Sequence, residues 1–142
     1  MSWIKTGRDF AFPEYKPVWP PDPPFELVEV RADVTLSLKE RRISGAVENV
    51  FRALRSARKL RLDAVGMRIL SVEVDGARAS HTYDGEVLEV FFEESVEAGS
   101  TVTVRVRYEV VEPRKGVWFV PVEGGEARQA WTQGQPEDTR YW

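Results

Sequence analysis

Val28-Glu-Val-Arg-Ala-Asp-Val-Thr-Leu-Ser-Leu-Lys39 decides the fold class of this chain. Val28, Val30, Ala32, Val34, Leu36 and Leu38 alternate with Glu29, Arg31, Asp33, Thr35, Ser37 and Lys39. Successive side chains of a strand point to opposite faces, so this alternation predicts a strand with one wet face. Val102, Val104, Val106, Tyr108 and Val110 repeat the pattern against Thr101, Thr103, Arg105, Arg107 and Glu109. Leu88, Val90 and Phe92 give a shorter third case. Asp75-Gly76 and Asp84-Gly85 fall between apolar runs, where glycine supplies the positive φ of a tight turn.

One stretch points two ways. Ile43, Ala46, Val47, Val50, Phe51 and Leu54 carry the spacing of an amphipathic helix. Gly45 within it disfavours a helix by about 1 kcal/mol relative to alanine, and valine and phenylalanine are indifferent helix formers. Its surroundings are all strand, so a strand with both faces partly covered is expected. Short strands with Gly-marked turns then predict an all-β fold, an antiparallel β-sandwich or a saddle-like curved sheet.

The chain has 142 residues, enough for one core, with a net charge of −3 that gives no electrostatic case for nucleic acid or an anionic membrane. No stretch approaches the ~20 apolar residues of a membrane span, and no secretory signal pattern opens the chain, so a cytoplasmic location is expected. Six of the nine prolines lie between Pro13 and Pro24. Residues 1–24 therefore read as a stiff, extended arm that lays Tyr15 and Trp19 along its own domain, with a groove-binding ligand as the rival reading.

There is no cysteine and a single histidine, His81. Disulfides, thiolate zinc sites and cysteine nucleophiles are excluded, and no His-Glu-x-x-His cluster exists to hold a catalytic zinc. His81 reads as an exposed loop residue. Arg52, Arg55, Arg58, Lys59 and Arg61 read as a solvated turn rather than a phosphate site. No catalytic residue and no metal ligand is assigned.

The most unusual stretch is Gln129-Ala-Trp-Thr-Gln-Gly-Gln-Pro-Glu-Asp-Thr-Arg-Tyr-Trp142. Gln133 and Gln135 offer paired donors and acceptors around Gly134, which lets a partner approach the backbone closely. Pro136 then blocks further strand. Read from the residues alone, a polar turn and a binding loop are both open.

From Phe25 to Trp142 the chain resembles the N-terminal β domain of the zinc aminopeptidases of peptidase family M1, related to aminopeptidase N and leukotriene-hydrolase. The resemblance rests on an ordered set. It comprises the opening strand, Ile43-Ser-Gly45, Leu60-Arg-Leu-Asp-Ala64, Ile69-Leu-Ser-Val-Glu-Val-Asp-Gly76, Val102 to Tyr108, Gly116-Val-Trp-Phe119 and, most specifically, Trp131-Thr-Gln-Gly-Gln-Pro-Glu-Asp-Thr-Arg-Tyr-Trp142. It implies that residues 25–142 form a saddle-like all-β domain packed beside a thermolysin-like catalytic domain. It also implies that Gln133-Gly134-Gln135 forms a substrate-binding loop. The third position of that loop, usually glutamate, helps to hold the free α-amine; here it is Gln135, as in the leukotriene-hydrolase branch. Val30, where the family often has histidine, and Asn49, at a usually apolar position, are departures.

The resemblance further implies zinc in a longer parent protein and none in this chain, with a downstream catalytic domain and a peptide substrate as partners. The expected function is that of a non-catalytic domain, inactive alone, of an enzyme removing N-terminal residues from peptides. The rival is a peptidase-derived β domain serving only as an interaction scaffold. The sheet is expected to be truncated at its C-terminal end, and an exposed sheet edge invites self-association.

Overall fold

The computed structural model describes residues 22–121, 123–135 and 138–141. The proline-rich arm expected at 1–24 lies outside the described residues apart from Asp22, Pro23 and Pro24.

Strand alternation is clearest in β8 (Thr101–Val111), which lies in the middle of the main sheet. Val102, Val104, Val106, Tyr108 and Val110 are buried on one face, while Thr101, Arg105 and Arg107 are exposed on the other. On one side β8 pairs with β2 (Arg42–Ala53), which pairs in turn with β1 (Phe25–Ser37). On the other it pairs with β4 (Arg68–Val74), followed by the short β5 (Ala77–Arg78). All pairings are antiparallel, and the order is β1-β2-β8-β4-β5.

Two smaller sheets cover the buried face. β3 (Ala57–Asp63), β7 (Val87–Val96) and β6 (Ser80–Tyr83) form a three-stranded sheet in the order β3-β7-β6. Its Leu60, Leu88, Val90 and Phe92 pack with Phe51, Val72, Val102, Val104 and Val106 in one continuous core. β9 (Val117–Pro121) and β10 (Ala127–Thr132) form a hairpin over the far end of β8. There Val117, Phe119 and Ala130 meet Ile43, Tyr108 and Val110. Phe25 closes the opposite end, edge-on to Phe51 at 6.2 Å and 5.7 Å from Phe92. The fold is an all-β arrangement of packed antiparallel sheets.

Residues 42–53 are a strand, and the apparent helical spacing has a simple origin. Ile43, Val47 and Phe51 are four apart, an even interval, so they fall on one face of a strand as readily as of a helix. Ala46 and Val50, which completed the helical stripe, pair with Arg107 and Thr103 on the other face. Gly45 lies opposite Val34, where a β-carbon would run into the Asp33 carbonyl oxygen.

Both Asp-Gly pairs are turns. Asp75 and Gly76 both have positive φ (47° and 82°), and Asp84 Oδ1 accepts from the Glu86 and Val87 N–H groups at 2.8 and 2.7 Å. Two expectations need correction. His81 is exposed but belongs to β6, not to a loop. The basic run is not one solvated turn, because Arg52 lies on β2 and Arg58, Lys59 and Arg61 on β3. Arg52, Arg55 and Lys59 pair with Glu26, Asp22 and Glu89 at 2.6, 3.0 and 3.2 Å.

β1 departs from its expected single wet face. Its alternation is present, yet Val30 is 50% and Leu36 46% exposed. The strand is at the end of the sheet order, and Phe25 is its one residue in the core shared with the three-stranded sheet. Pairing with β2 shifts between Leu27 and Glu29, a bulge of the kind found at sheet edges. No helix among the described residues is long and apolar enough to cross a membrane.

Candidate functional site

The closing stretch is held at both ends of its loop. β10 delivers Trp131 opposite Trp118 of β9, and the two indoles stack with centroids 5.7 Å apart and planes at 19°. Immediately after the strand, the Gln133 N–H donates to the Gly116 carbonyl at 2.8 Å. The chain then turns back through one 3-10 turn, Asp138–Tyr141. Its Arg140 carbonyl accepts from the Val65 N–H at 2.6 Å, tying the turn to the loop after β3. Lys115 Nζ lies 3.8 Å from Asp138 Oδ1 and 5.9 Å from the centre of the Tyr141 ring.

Gln133 and Gln135 are exposed, and Gly134 between them is partly buried. Within this chain, the group that approaches Gly134 is Thr139. A β-carbon at 134 would overlap the Thr139 γ-methyl group. The loop is thus folded tightly on its own 3-10 turn, with both glutamine side chains outward. Pro136, Glu137 and Trp142 lie outside the described residues.

Thr139 and Arg140 also form one wall of a cavity of about 570 Å³ between the β1 end of the main sheet and the end of β3. Val30, Ala32, Val47 and Met67 make it largely apolar, while Asn49, Asp63 and Arg140 supply polar groups. Val30 and Asn49 are direct cross-strand partners lining this same space. Arg140 Nε is buried and 3.6 Å from Asp63 Oδ2, near enough for charge attraction but too far for a hydrogen bond. Neither Gln133 nor Gln135 lines the cavity.

The donor set does not fit a zinc ion. No group of three or more His, Asp or Glu side chains that could hold a metal occurs among the described residues. His81 stands alone on β6, its Nδ1 3.4 Å from the Ala79 carbonyl. Sequence reasoning missed the Trp118–Trp131 stack and the Thr139 contact. Gly134 was the available signal for the second; for the first, Trp118 lies three residues before the end of β9 and Trp131 four after the start of β10, and a bulge between Ala127 and Gln129 makes up the difference.

No protein-family model matches the sequence, and no curated protein matches it significantly. Solved structures do match. The M1 zinc metallopeptidase from Deinococcus radiodurans superposes with a TM-score of 0.69 over 83% of this chain, at 21% identity. Yeast LTA4 hydrolase in complex with bestatin superposes with a TM-score of 0.71 over 83% of this chain, at 16% identity. The chain has the fold of a domain of M1 zinc metallopeptidases. It spans 28% of the Deinococcus chain and 20% of the yeast chain. A mutant of the Deinococcus enzyme, matching at 20% identity with a TM-score of 0.69 over 82% of this chain and 28% of its own, is bound to a Tyr-Ser-Ala substrate.

Proposed function

We propose that residues 25–142 are the N-terminal, non-catalytic β domain of a cytoplasmic zinc aminopeptidase, preceded by the arm at 1–24. In this reading Gln133-Gly134-Gln135 faces the pocket that receives the amino end of a peptide. The observation that carries the reading is the match to M1 metallopeptidases over most of this chain and a minor part of theirs. The outward glutamines on a loop pinned at Gly116 and Thr139 add to it.

The chemistry available to this chain is positioning. A glutamine amide oxygen accepts a hydrogen bond from a substrate ammonium group, but it lacks the charge that a glutamate would pair with it. A loop fixed by its own backbone bonds holds that acceptor at little further entropic cost. Zinc, supplied by a catalytic domain elsewhere in the parent protein, would activate water for attack on the first peptide carbonyl. No residue described here takes part in that step.

The test is Gln135→Ala in the full-length protein. It is expected to lower kcat/KM for aminoacyl amides by about tenfold, the worth of a hydrogen bond to a charged group. It should weaken inhibition by an amino-acid amide while leaving inhibition by the desamino analogue unchanged. Equal effects on both inhibitors, or none, remove Gln135 from amine recognition. A reading frame that continues past Trp142 without His-Glu-x-x-His favours the scaffold reading instead.

A further inference from the structure

Three turns are linked in series, each fastened to the next through the backbone. The first joins β6 to β7, where Asp84 Oδ1 accepts from the Glu86 and Val87 N–H groups. The second is the loop 64–67 between β3 and β4. Its Ala64 and Gly66 N–H groups donate to the Glu86 and Gly85 carbonyls, both at 2.8 Å. Val65, between them, donates instead to the third turn, at the Arg140 carbonyl 2.6 Å away. That third turn, Asp138–Tyr141, carries the Thr139 methyl group against which Gly134 lies.

One side chain fixes the middle loop. The Tyr83 hydroxyl donates to the Ala64 carbonyl at 2.6 Å and accepts from the Met67 N–H at 3.0 Å, so it clasps both ends of the loop. The ring behind it packs on the main core, and Tyr83 pairs with Leu88, which is 1% exposed. The hydroxyl is therefore a fixed point on the sandwich. Without it the carbonyl and the N–H must find water or shift, because part-buried backbone groups are costly to leave unpaired. Asp63, next to Ala64, adds charge attraction to Arg140 across the same contact, 3.6 Å from its Nε.

We propose that Tyr83 is a positioning residue for the Gln133-Gly134-Gln135 loop, acting through residues 64–67 and the Asp138–Tyr141 turn. Its consequence for a substrate rests on the aminopeptidase reading; the coupling itself does not. Loss of the hydroxyl frees the 64–67 loop, weakens the Val65–Arg140 bond and loosens the turn that Gly134 packs against. A substrate amine then meets Gln135 in a wider spread of positions, and the preorganised part of the interaction is lost. Tyr83 itself touches no substrate, so it acts only where Gln135 acts.

Tyr83→Phe keeps the ring and removes only the hydroxyl. In the 142-residue protein, amide hydrogen exchange at Val65 and Gln133, bonded to Arg140 and Gly116, should accelerate about fivefold, the worth of a hydrogen bond. Val90→Ala, which weakens the core under the same three-stranded sheet, should leave those two amides unchanged. In the full-length protein, Tyr83→Phe should lower kcat/KM for aminoacyl amides about threefold, through KM, as part of that hydrogen bond's worth reaches Gln135. It should weaken inhibition by an amino-acid amide and not by the desamino analogue, and in a Gln135→Ala background it should do neither. Exchange at Val65 and Gln133 no faster than in the parent, or equally fast in Val90→Ala, overturns the coupling. Losses that add in the Tyr83→Phe/Gln135→Ala protein, or that fall equally on both inhibitors, overturn the positioning role. If Gln135→Ala alone changes neither inhibitor, the amine reading fails, and the exchange rates still decide the coupling.

Discussion

Gly134 lies so close beneath Thr139 that a β-carbon at position 134 would overlap the Thr139 γ-methyl group. The obstacle is the end of a side chain, so it can be removed. Gly134→Ala is expected to destabilise the protein by about 1–3 kcal/mol, the usual range for overpacking. Adding Thr139→Ser, which deletes the methyl and keeps the hydroxyl, should recover most of that loss in urea unfolding. If the double variant is no more stable than Gly134→Ala alone, this contact does not set the loop.

Gly45 is the contrasting case. A β-carbon there meets the Asp33 carbonyl oxygen and the Val34 α-carbon, both backbone. No truncation of a neighbour relieves that clash; β1 itself must move. Gly45→Ala should therefore cost more than Gly134→Ala and should not be rescued by changing Asp33 or Val34. Urea midpoints of Gly134→Ala, Gly45→Ala, and Gly45→Ala combined with Asp33→Ala or Val34→Ala decide it.

These two glycines also show where the sequence is readable. The period-two runs at Val28–Lys39 and Val102–Val110 report strand directly, because a sheet's chemistry alternates with its pleat. They do not report strand order, so β1 carries a pattern for burial while lying at an edge where Val30 and Leu36 stay exposed. The Ile43–Leu54 stretch misleads because intervals of four satisfy both periods. At the site, the oddity of Gln133-Gly134-Gln135 is visible in one dimension. The contact that explains Gly134 comes from Thr139, across a turn whose geometry no local propensity specifies.

Trp118 and Trp131 face each other across the β9–β10 hairpin and stack although 38% and 48% exposed. Their interaction is separable from burial because much of each indole remains in water. A double-mutant cycle with Trp118→Leu and Trp131→Leu should give a coupling energy of about 0.5–1.5 kcal/mol, as for other aromatic pairs. The intact pair should also give an exciton couplet in the ultraviolet circular dichroism spectrum, lost in either single variant. A coupling indistinguishable from zero, with the couplet unchanged, rejects the stack.

The final prediction concerns alkaline pH. The Tyr83 hydroxyl donates to the Ala64 carbonyl at 2.6 Å and accepts from the Met67 N–H at 3.0 Å, fastening the loop between β3 and β4. Burial pushes its pKa up, with Asp84 acting in the same direction and the Met67 N–H opposing. Burial likewise raises the pKa of Tyr108 in the core. A phenol whose folded pKa lies above its unfolded value favours folding fully below the unfolded value, about pH 10. That contribution is lost as pH rises through the folded value. Stability should therefore be flat from neutrality to about pH 10 as far as these two groups are concerned, and fall steeply above it. Tyr83→Phe should cost about 1–3 kcal/mol at neutral pH by leaving the Met67 N–H unpaired, and should make the alkaline fall shallower. Absorbance at the phenolate band, read as the difference between the parent and Tyr83→Phe or Tyr108→Phe, gives an independent reading: both phenols should ionise above the ordinary range. Ionisation of Tyr83 and Tyr108 at the ordinary phenol value in the folded protein would contradict the burial argument.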